Sequence, residues 1–173
     1  VYINQKNFKM AEKILLKLRK SFNSEIILYL NLSDLYFKNK DLKKGILILK
    51  EGVNKFPKFI PLMFNLAIMY RNLGSLELSI RTHLEILSKD QFNSNSYYEL
   101  STMYDFSNHN NLLEKLFSID IENLSLKEKI YICFSKANVY HSEKDYKKSA
   151  HFLKIANEEK LKLQKSDLKR KIN

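Results

Sequence analysis

Leu32, Leu66 and Leu100 stand 34 residues apart, and Tyr36, Tyr70 and Tyr104 repeat that step four positions further on. Tyr2 extends the tyrosine column backwards by the same step, and Tyr140 follows after 36. Next to each leucine sits a small residue, Ser33, Ala67 and Ser101, with Ala137 after the slip. Five residues beyond each tyrosine comes a polar one: Asn7, Asp41, Ser75, His109 and Asp145. A second small column, Ala11, Gly45 and Ser79, then Ser149, follows one turn later. Apolar residues recur at spacings of three and four on both sides of the polar column, which is the signature of amphipathic helices. A short polar side chain before such a run caps the free N–H groups of a helix start. Each period therefore predicts two helices joined by a tight turn, with small residues where they cross.

The columns predict nine helices, over 8–20, 26–38, 42–54, 60–73, 76–88, 94–107, 110–119, 126–142 and 146–164. They divide one array into a partial repeat at 1–25, repeats at 26–59 and 60–93, a degenerate repeat at 94–125, a repeat at 126–164 and a basic tail at 165–173. Ser125-Leu126-Lys127-Glu128 is a capping box and starts its helix a turn early, which absorbs the two-residue slip. In the third repeat Leu113 takes the small column and Asp120 another inward position, so its second helix is expected to be short or displaced. The tail is expected to fray.

Asn31-Leu32-Ser33-Asp34-Leu35-Tyr36, continuing through Asp41-Leu42 and Gly45 to Pro57, resembles the tetratricopeptide (TPR) repeat. Asn65-Leu66-Ala67-Ile68-Met69-Tyr70, Gly74 and Ser79 resemble it again. The tryptophan usual in that family is replaced by Tyr29, Met63, Tyr97 and Cys133. The resemblance covers nearly the whole chain. It implies an all-α, right-handed superhelix of antiparallel helix pairs, an α-solenoid whose first helices line a concave groove.

The resemblance also implies which positions face that groove. One column is Leu30, Phe64, Tyr98 and Phe134; beside it lie Asp34, Ile68, Thr102 and Asn138, then Phe37, Arg71, Asp105 and His141. Asn31 and Asn65 occupy the place of the asparagine ladder in TPR arrays of O-linked glycosyltransferases, but Glu99 and Ser135 end it after two rungs. The expected peptide-binding residues are therefore Leu30, Asn31, Asp34, Phe64, Asn65, Ile68, Tyr98, Phe134 and Asn138. Apolar pockets at intervals and amides for an unpaired backbone suit an extended peptide. The other reading of the aromatics is packing between neighbouring first helices, and both stay open at this stage. The carboxylate clamp by which some TPR proteins hold chaperone C-termini needs Lys or Asn where Leu30, Phe64 and Phe134 stand, so that partner is disfavoured.

Composition narrows the classes. Only 3 Gly and 2 Pro in 173 residues leave too little turn punctuation for a many-stranded fold or a glycine phosphate loop. Cys133 is the single cysteine, so no internal disulfide or cysteine metal cluster forms. The charge of +11 invites a nucleic-acid reading, but it is carried by lysine far more than by the bidentate arginine, which disfavours that reading. No run nears the ~20 apolar residues of a membrane span. The chain opens on Val-Tyr-Ile-Asn and reads as an excerpt of a longer protein, expected in the cytoplasm. His83, His109, His141 and His151 show no pair on one helical face, so neither a metal nor a cofactor is expected. His83 reads as core, Cys133 as a buried inert thiol, and Glu158-Glu159 and Glu143/Asp145 as solvated faces. No catalytic constellation emerges, so the segment is read as no enzyme.

The last 50 residues resemble a narrower family, the TPR segment before the catalytic domain in bacterial TPR–sulfotransferase proteins. The residues concerned are Asn123-Leu124-Ser125, Phe134, Ala137, Tyr140, Asp145-Tyr146, Ala156-Asn157, Lys160 and Lys162. Lys136, Ala137, His141 and Ser142 depart from that family's Leu, Gly and paired acids. The resemblance implies a noncatalytic scaffold that binds a peptide or protein and has a C-terminal catalytic domain covalently attached. The alternatives are a free-standing TPR adaptor or assembly factor and, more remotely, a basic nucleic-acid-binding helical repeat.

Overall fold

The structure is a computed structural model that describes residues 5–22, 25–106 and 109–172, with side chains over 7–22, 25–106 and 109–166. Tyr2 of the tyrosine column and Ser107-Asn108 lie outside the described residues. Nine helices and no strand occur among the described residues: α1 (Gln5–Ser21), α2 (Ile26–Lys38), α3 (Leu42–Lys55), α4 (Ile60–Asn72), α5 (Leu76–Lys89), α6 (Ser94–Ser101), α7 (Asn110–Ser118), α8 (Leu126–Ser142) and α9 (Tyr146–Ile172). Apart from the start of α1, the end of α6 and the end of α9, each span meets its expectation within one residue. The chain forms two compact units, which meet within α5 between Thr82 and His83.

In the first unit the spacing of tyrosine and cap has a plain cause. The Asp41 N–H donates to the Tyr36 carbonyl at 2.9 Å, and the Ser75 N–H donates to that of Tyr70 at 2.9 Å. This six-to-one bond satisfies a carbonyl at the helix end and requires a left-handed residue just before the cap. Lys40 (φ 60°) and Gly74 (φ 85°) fill that place. The Asp41 carboxylate then accepts from the Lys44 N–H and starts α3. Where pairs cross, bulk is excluded. A Cβ on Gly45 would lie 2.3 Å from Met69 Sδ, and one on Gly52 would lie 3.0 Å from Tyr29 Cδ1. Ser79 Oγ donates to the Ala67 carbonyl at 2.9 Å, so the two small columns do face each other. Tyr29, Leu32, Leu49, Leu62, Met63, Leu66, Ala67, Tyr36 and Tyr70 fill the buried core around these crossings.

Polar ties hold α1 against this core. Tyr36 Oη donates to Glu12 Oε1 at 2.9 Å, with Lys44 Nζ 3.5 Å from the same oxygen. Burial first, then the hydrogen bond to Glu12, pushes the Tyr36 hydroxyl up to about 12. Tyr29 Oη donates to Glu51 Oε1 at 3.0 Å, and Arg19 binds Glu51 Oε2 at 2.8 Å.

The second unit contains one regular pair, α8 with α9, and one irregular pair, α6 with α7. In the regular pair the Asp145 N–H donates to the Tyr140 carbonyl at 2.9 Å, with Lys144 at φ 63°. The expected capping box is present: the Ser125 side chain accepts from the Glu128 N–H, and the Glu128 side chain accepts from the Ser125 N–H. The irregular pair corrects the expected 94–107 helix, because α6 ends at Ser101. Ser101 Oγ and Thr102 Oγ1 each donate to a carbonyl three residues back, those of Tyr98 and Glu99. Such hydroxyls compete with the helix for its own acceptors. The six-to-one turn is absent: the His109 N–H donates to the Phe106 carbonyl at 2.9 Å instead of to Tyr104. Helix α7 is short, as expected, and Lys136 of α8 holds its end by donating from Nζ to the Ile119 carbonyl at 3.0 Å.

Helix α9 runs to Ile172 and so takes in the described part of the basic tail. One further expectation is corrected. Glu159 is not on a solvated face; it is buried, 3.0 Å from Lys162 Nζ and 3.8 Å from Lys129 Nζ. A carboxylate is tolerated there because two ammonium groups stand beside it.

Candidate functional site

In the first unit α2 packs beside α4, and their adjacent faces form a cleft of about 170 Å³. Its walls are Ser33, Asp34 and Phe37 from α2, and Asn65, Ile68 and Met69 from α4. The local sequence explains the arrangement. Leu32, Tyr36, Leu66 and Tyr70 point into the core, so the residues one or two positions away line the open side. Asp34, Asn65 and Ile68 are thus brought together, and Phe37 joins them from the outer column. Leu30, Asn31 and Phe64 lie on the same two helices but outside the cleft wall; Leu30 and Phe64 are half-buried and Asn31 is exposed.

The cleft is chemically mixed. Phe37, Ile68 and Met69 give apolar surface, and Asn65 brings both an amide donor and an acceptor. Among the described residues the Asn65 side chain makes no hydrogen bond. Asp34 is half-neutralised by an exposed ion pair with Lys38, one turn on in the same helix. Such a pair is weak and exchanges easily with another cation.

In the second unit the corresponding aromatics contact one another. The Tyr98 ring lies 6.0 Å from Phe134 and 5.4 Å from Tyr131, joining α6 to α8. Asn138 Nδ2 donates to Ser101 Oγ at 3.0 Å, so this amide serves the α6–α8 contact. Tyr98, Phe134 and Asn138 are all half-buried. Helix packing therefore uses these three side chains in part and leaves part of each at the surface.

The remaining chemistry-bearing residues are placed as follows. His83 is fully buried with Nδ1 3.2 Å from Ser96 Oγ. Cys133 is buried, and loss of solvent pushes its thiol pKa up, against the smaller opposing pull of Lys136 and Lys129. A thiol so placed is a poor nucleophile. Lys136 is buried between the rings of Phe117 and Phe152, at 5.8 and 5.7 Å, and desolvation lowers its pKa. His141 and His151 are exposed beside Tyr146 and Phe152. Among the described residues no group of three or more His, Cys, Asp or Glu is arranged to hold a metal ion. No helix among them is long and apolar enough to cross a membrane.

One depression was not foreseen from sequence. About 260 Å³ opens beside α7, with Leu84, Leu87, Tyr97 and Leu112 as its floor and His109 and Lys115 on its rim. It is walled by α5, by Tyr97 of α6 and by the first turn of α7. The sequence signals were Leu113 in the small column and Asp120 at another inward position, which marked the pair as irregular without locating a hollow.

No known protein family matches the chain, and no curated protein matches it. Solved structures do. One described as the crystal structure of MamA superposes with a TM-score of 0.63 at 14% identity, covering 93% of each chain. A structure of MamA MSR-1 gives 0.55 at 16% identity over 91% of this chain and 90% of that one. MamA AMB-1 gives 0.56 at 16% identity over 89% and 83%. At such identities the likeness concerns fold alone: an all-α, TPR-type array of helix pairs.

Proposed function

We propose that the chain is a noncatalytic protein-interaction module, and that the α2–α4 cleft holds an extended peptide. The observation that carries this reading is the Asn65 amide, without an internal partner, set among Phe37, Ile68 and Met69. An amide with donor and acceptor pairs with a peptide backbone whatever the side chains, and the apolar wall takes one of them. Leu30, Asn31 and Phe64 extend the contact along α2 and α4. Tyr98, Phe134 and Asn138 offer equivalent positions on α6 and α8. The buried Cys133 and His83 agree with a noncatalytic role.

The test is selection of peptides from a random library on the purified chain, followed by titration of the best one. Asn65→Ala should weaken it about 5- to 10-fold, the worth of a hydrogen bond or slightly more. Phe64→Ala should weaken it as well, with little dependence on salt. If both variants bind like the parent while Lys160→Glu with Lys162→Glu abolishes binding, the basic helix α9 is the site and the cleft reading fails. A steep salt slope with nucleic acid would support the nucleic-acid alternative.

The finer reading, an accessory TPR region joined to a bacterial sulfotransferase domain, rests on the resemblance of residues 123–162 alone. The free-standing adaptor is its rival. The complete reading frame separates the two: an α/β domain with a phosphate loop after Asn173 supports the first.

A further inference from the structure

The α2–α4 cleft is small, at about 170 Å³. Pockets begin to take a whole small ligand at roughly 300 Å³, so this one suits a single side chain of a longer partner. Asp34 and Phe37 stand three apart on the α2 wall, and Asn65 and Ile68 three apart on the α4 wall. Residues three apart share a helix face. A carboxylate, an aromatic ring, an amide and an apolar surface therefore border one space.

The polar groups of these walls favour a donor. Asp34, when ionised, only accepts hydrogen bonds. The Ser33 hydroxyl donates to the Leu30 carbonyl at 2.8 Å, so its hydrogen is committed within α2. Among the wall residues none carries a positive charge, and Asp34 carries a negative one. Phe37 is 41% exposed, which leaves part of its ring open, and aromatic faces attract cations. Asp34 already has a cation beside it, Lys38, one turn on in α2. The two side chains are 57% and 56% exposed, and a helix pair so open to water holds weakly. Lys38 lies outside the cleft walls, as does Arg71 of α4. A cation that reaches Asp34 from within the cleft therefore displaces little.

We propose that the cleft selects its peptide by an arginine side chain, with the guanidinium on Asp34 and the stem between Phe37 and Ile68. This rests on the cleft being the peptide site. The charge of arginine complements the carboxylate, and its planar N–H fork meets both carboxylate oxygens at once. Its flat face stacks on an aromatic ring, and its stem covers apolar surface. An acidic residue would meet Asp34 with like charge, and a purely apolar one would bring it no donor.

The probe is a hexapeptide library with one position fixed in turn and the others random. The fixed residue is arginine, its uncharged analogue citrulline, or glutamate. Binding to the full chain is measured near 0.15 M salt, where long-range repulsion from its +11 charge is largely screened. At the best position the arginine pool should bind about 5-fold more tightly than the citrulline pool. Asp34→Asn, which keeps the shape of an exposed side chain, should bring the two pools level. Lys38→Ala removes the competing ammonium and should widen the gap about 2-fold. Asn65→Ala should weaken both pools alike, because its amide serves the peptide backbone. Three results overturn the proposal: equal binding of the arginine and citrulline pools, an arginine preference that survives Asp34→Asn, and a preference for the glutamate pool. If Asn65→Ala still weakens binding in any of these cases, the cleft remains the peptide site and the choice of arginine alone falls. If Asn65→Ala and Asp34→Asn both bind every pool like the parent, the cleft reading falls with it.

Discussion

The pair α2 with α3 and the pair α6 with α7 carry the same leucine, small-residue and tyrosine columns, yet they fold differently. In the first, Tyr36, Lys40 and Asp41 close a six-to-one turn, and Gly45 admits Met69. In the second, Leu113 takes the place of Gly45, and His109 turns to Phe106 instead of Tyr104. The leucine column is fully buried in both pairs, at Leu32 and Leu100, whereas Tyr36 is buried on α2 and Tyr104 lies beyond the end of α6. These columns do not determine how the partner helix approaches. That is decided at the turn and at the crossing, by one backbone hydrogen bond and one missing side chain. Where both are absent, α7 is secured from outside by Lys136, and a hollow opens beside it.

The sharpest way to break this comparison is to remove the same group from both pairs. Leu49 of α3 and Leu116 of α7 are each fully buried. Leu49→Ala should cost about 4–5 kcal/mol, and Leu116→Ala only about 2–3, because loosely held α7 can settle into the cavity. Urea denaturation of the two variants measures the difference; equal losses would show that α7 is packed as firmly as α3. Next in size, Gly45→Leu should cost about 1–3 kcal/mol by forcing Met69 aside. An unchanged melting temperature would reject the argument from the small column.

A smaller effect tests the external fastening. Lys136→Ala should cost about 1–2 kcal/mol, because the Ile119 carbonyl loses its donor in a buried place. Lys136→Met should restore packing but not the hydrogen bond. Hydrogen exchange at the amides of α7 should quicken in both variants and stay unchanged in α3. The smallest change is a gain: Lys40→Gly or Lys144→Gly should add about 0.5–1 kcal/mol, since each holds a left-handed backbone that glycine adopts freely. Thermal melts at one pH would reveal it, and a loss instead would mean that the lysine stems pack usefully at the turn.

Most of the helix pattern was legible in the sequence because it rests on local chemistry repeated at one step. Leu32 and Leu66, Tyr36 and Tyr70, and the cap at Asp41 each announce themselves within a turn or two of helix. The capping box at Ser125 was legible for the same reason. The end of α6 was not, because the leucine and tyrosine columns run on past Ser101 to Tyr104 with no break in the pattern. The burial of Glu159 was hidden too, since its cations arrive from Lys129 on another helix and from Lys162 one turn on. For the candidate site, Asp34, Asn65 and Ile68 were named from their columns and line one cleft. The part played by Ser33 and Met69 in that cleft was missed, because both are buried and reach the cleft only where α2 and α4 lie side by side. Asn138 was read as a ligand group, and its bond to Ser101 depends on a contact 37 residues away in sequence.

The tyrosine hydroxyls on Glu12 and Glu51 bear on how the chain avoids confusing its own parts. Near-copies of one helix present near-identical oily faces, and such faces pack almost as well on a wrong neighbour as on the right one. A carboxylate that must meet one phenol and one cation at the same time is far more selective. Glu12 with Tyr36 and Lys44, and Glu51 with Tyr29 and Arg19, work as addresses written in polar atoms. If α1 slid by one turn, both addresses would be misread together: the buried Tyr36 phenol would lose its acceptor Glu12, and Glu51 would lose Arg19. During folding these ties therefore guard against mispairing of repeats more than they add to the strength of the finished contact.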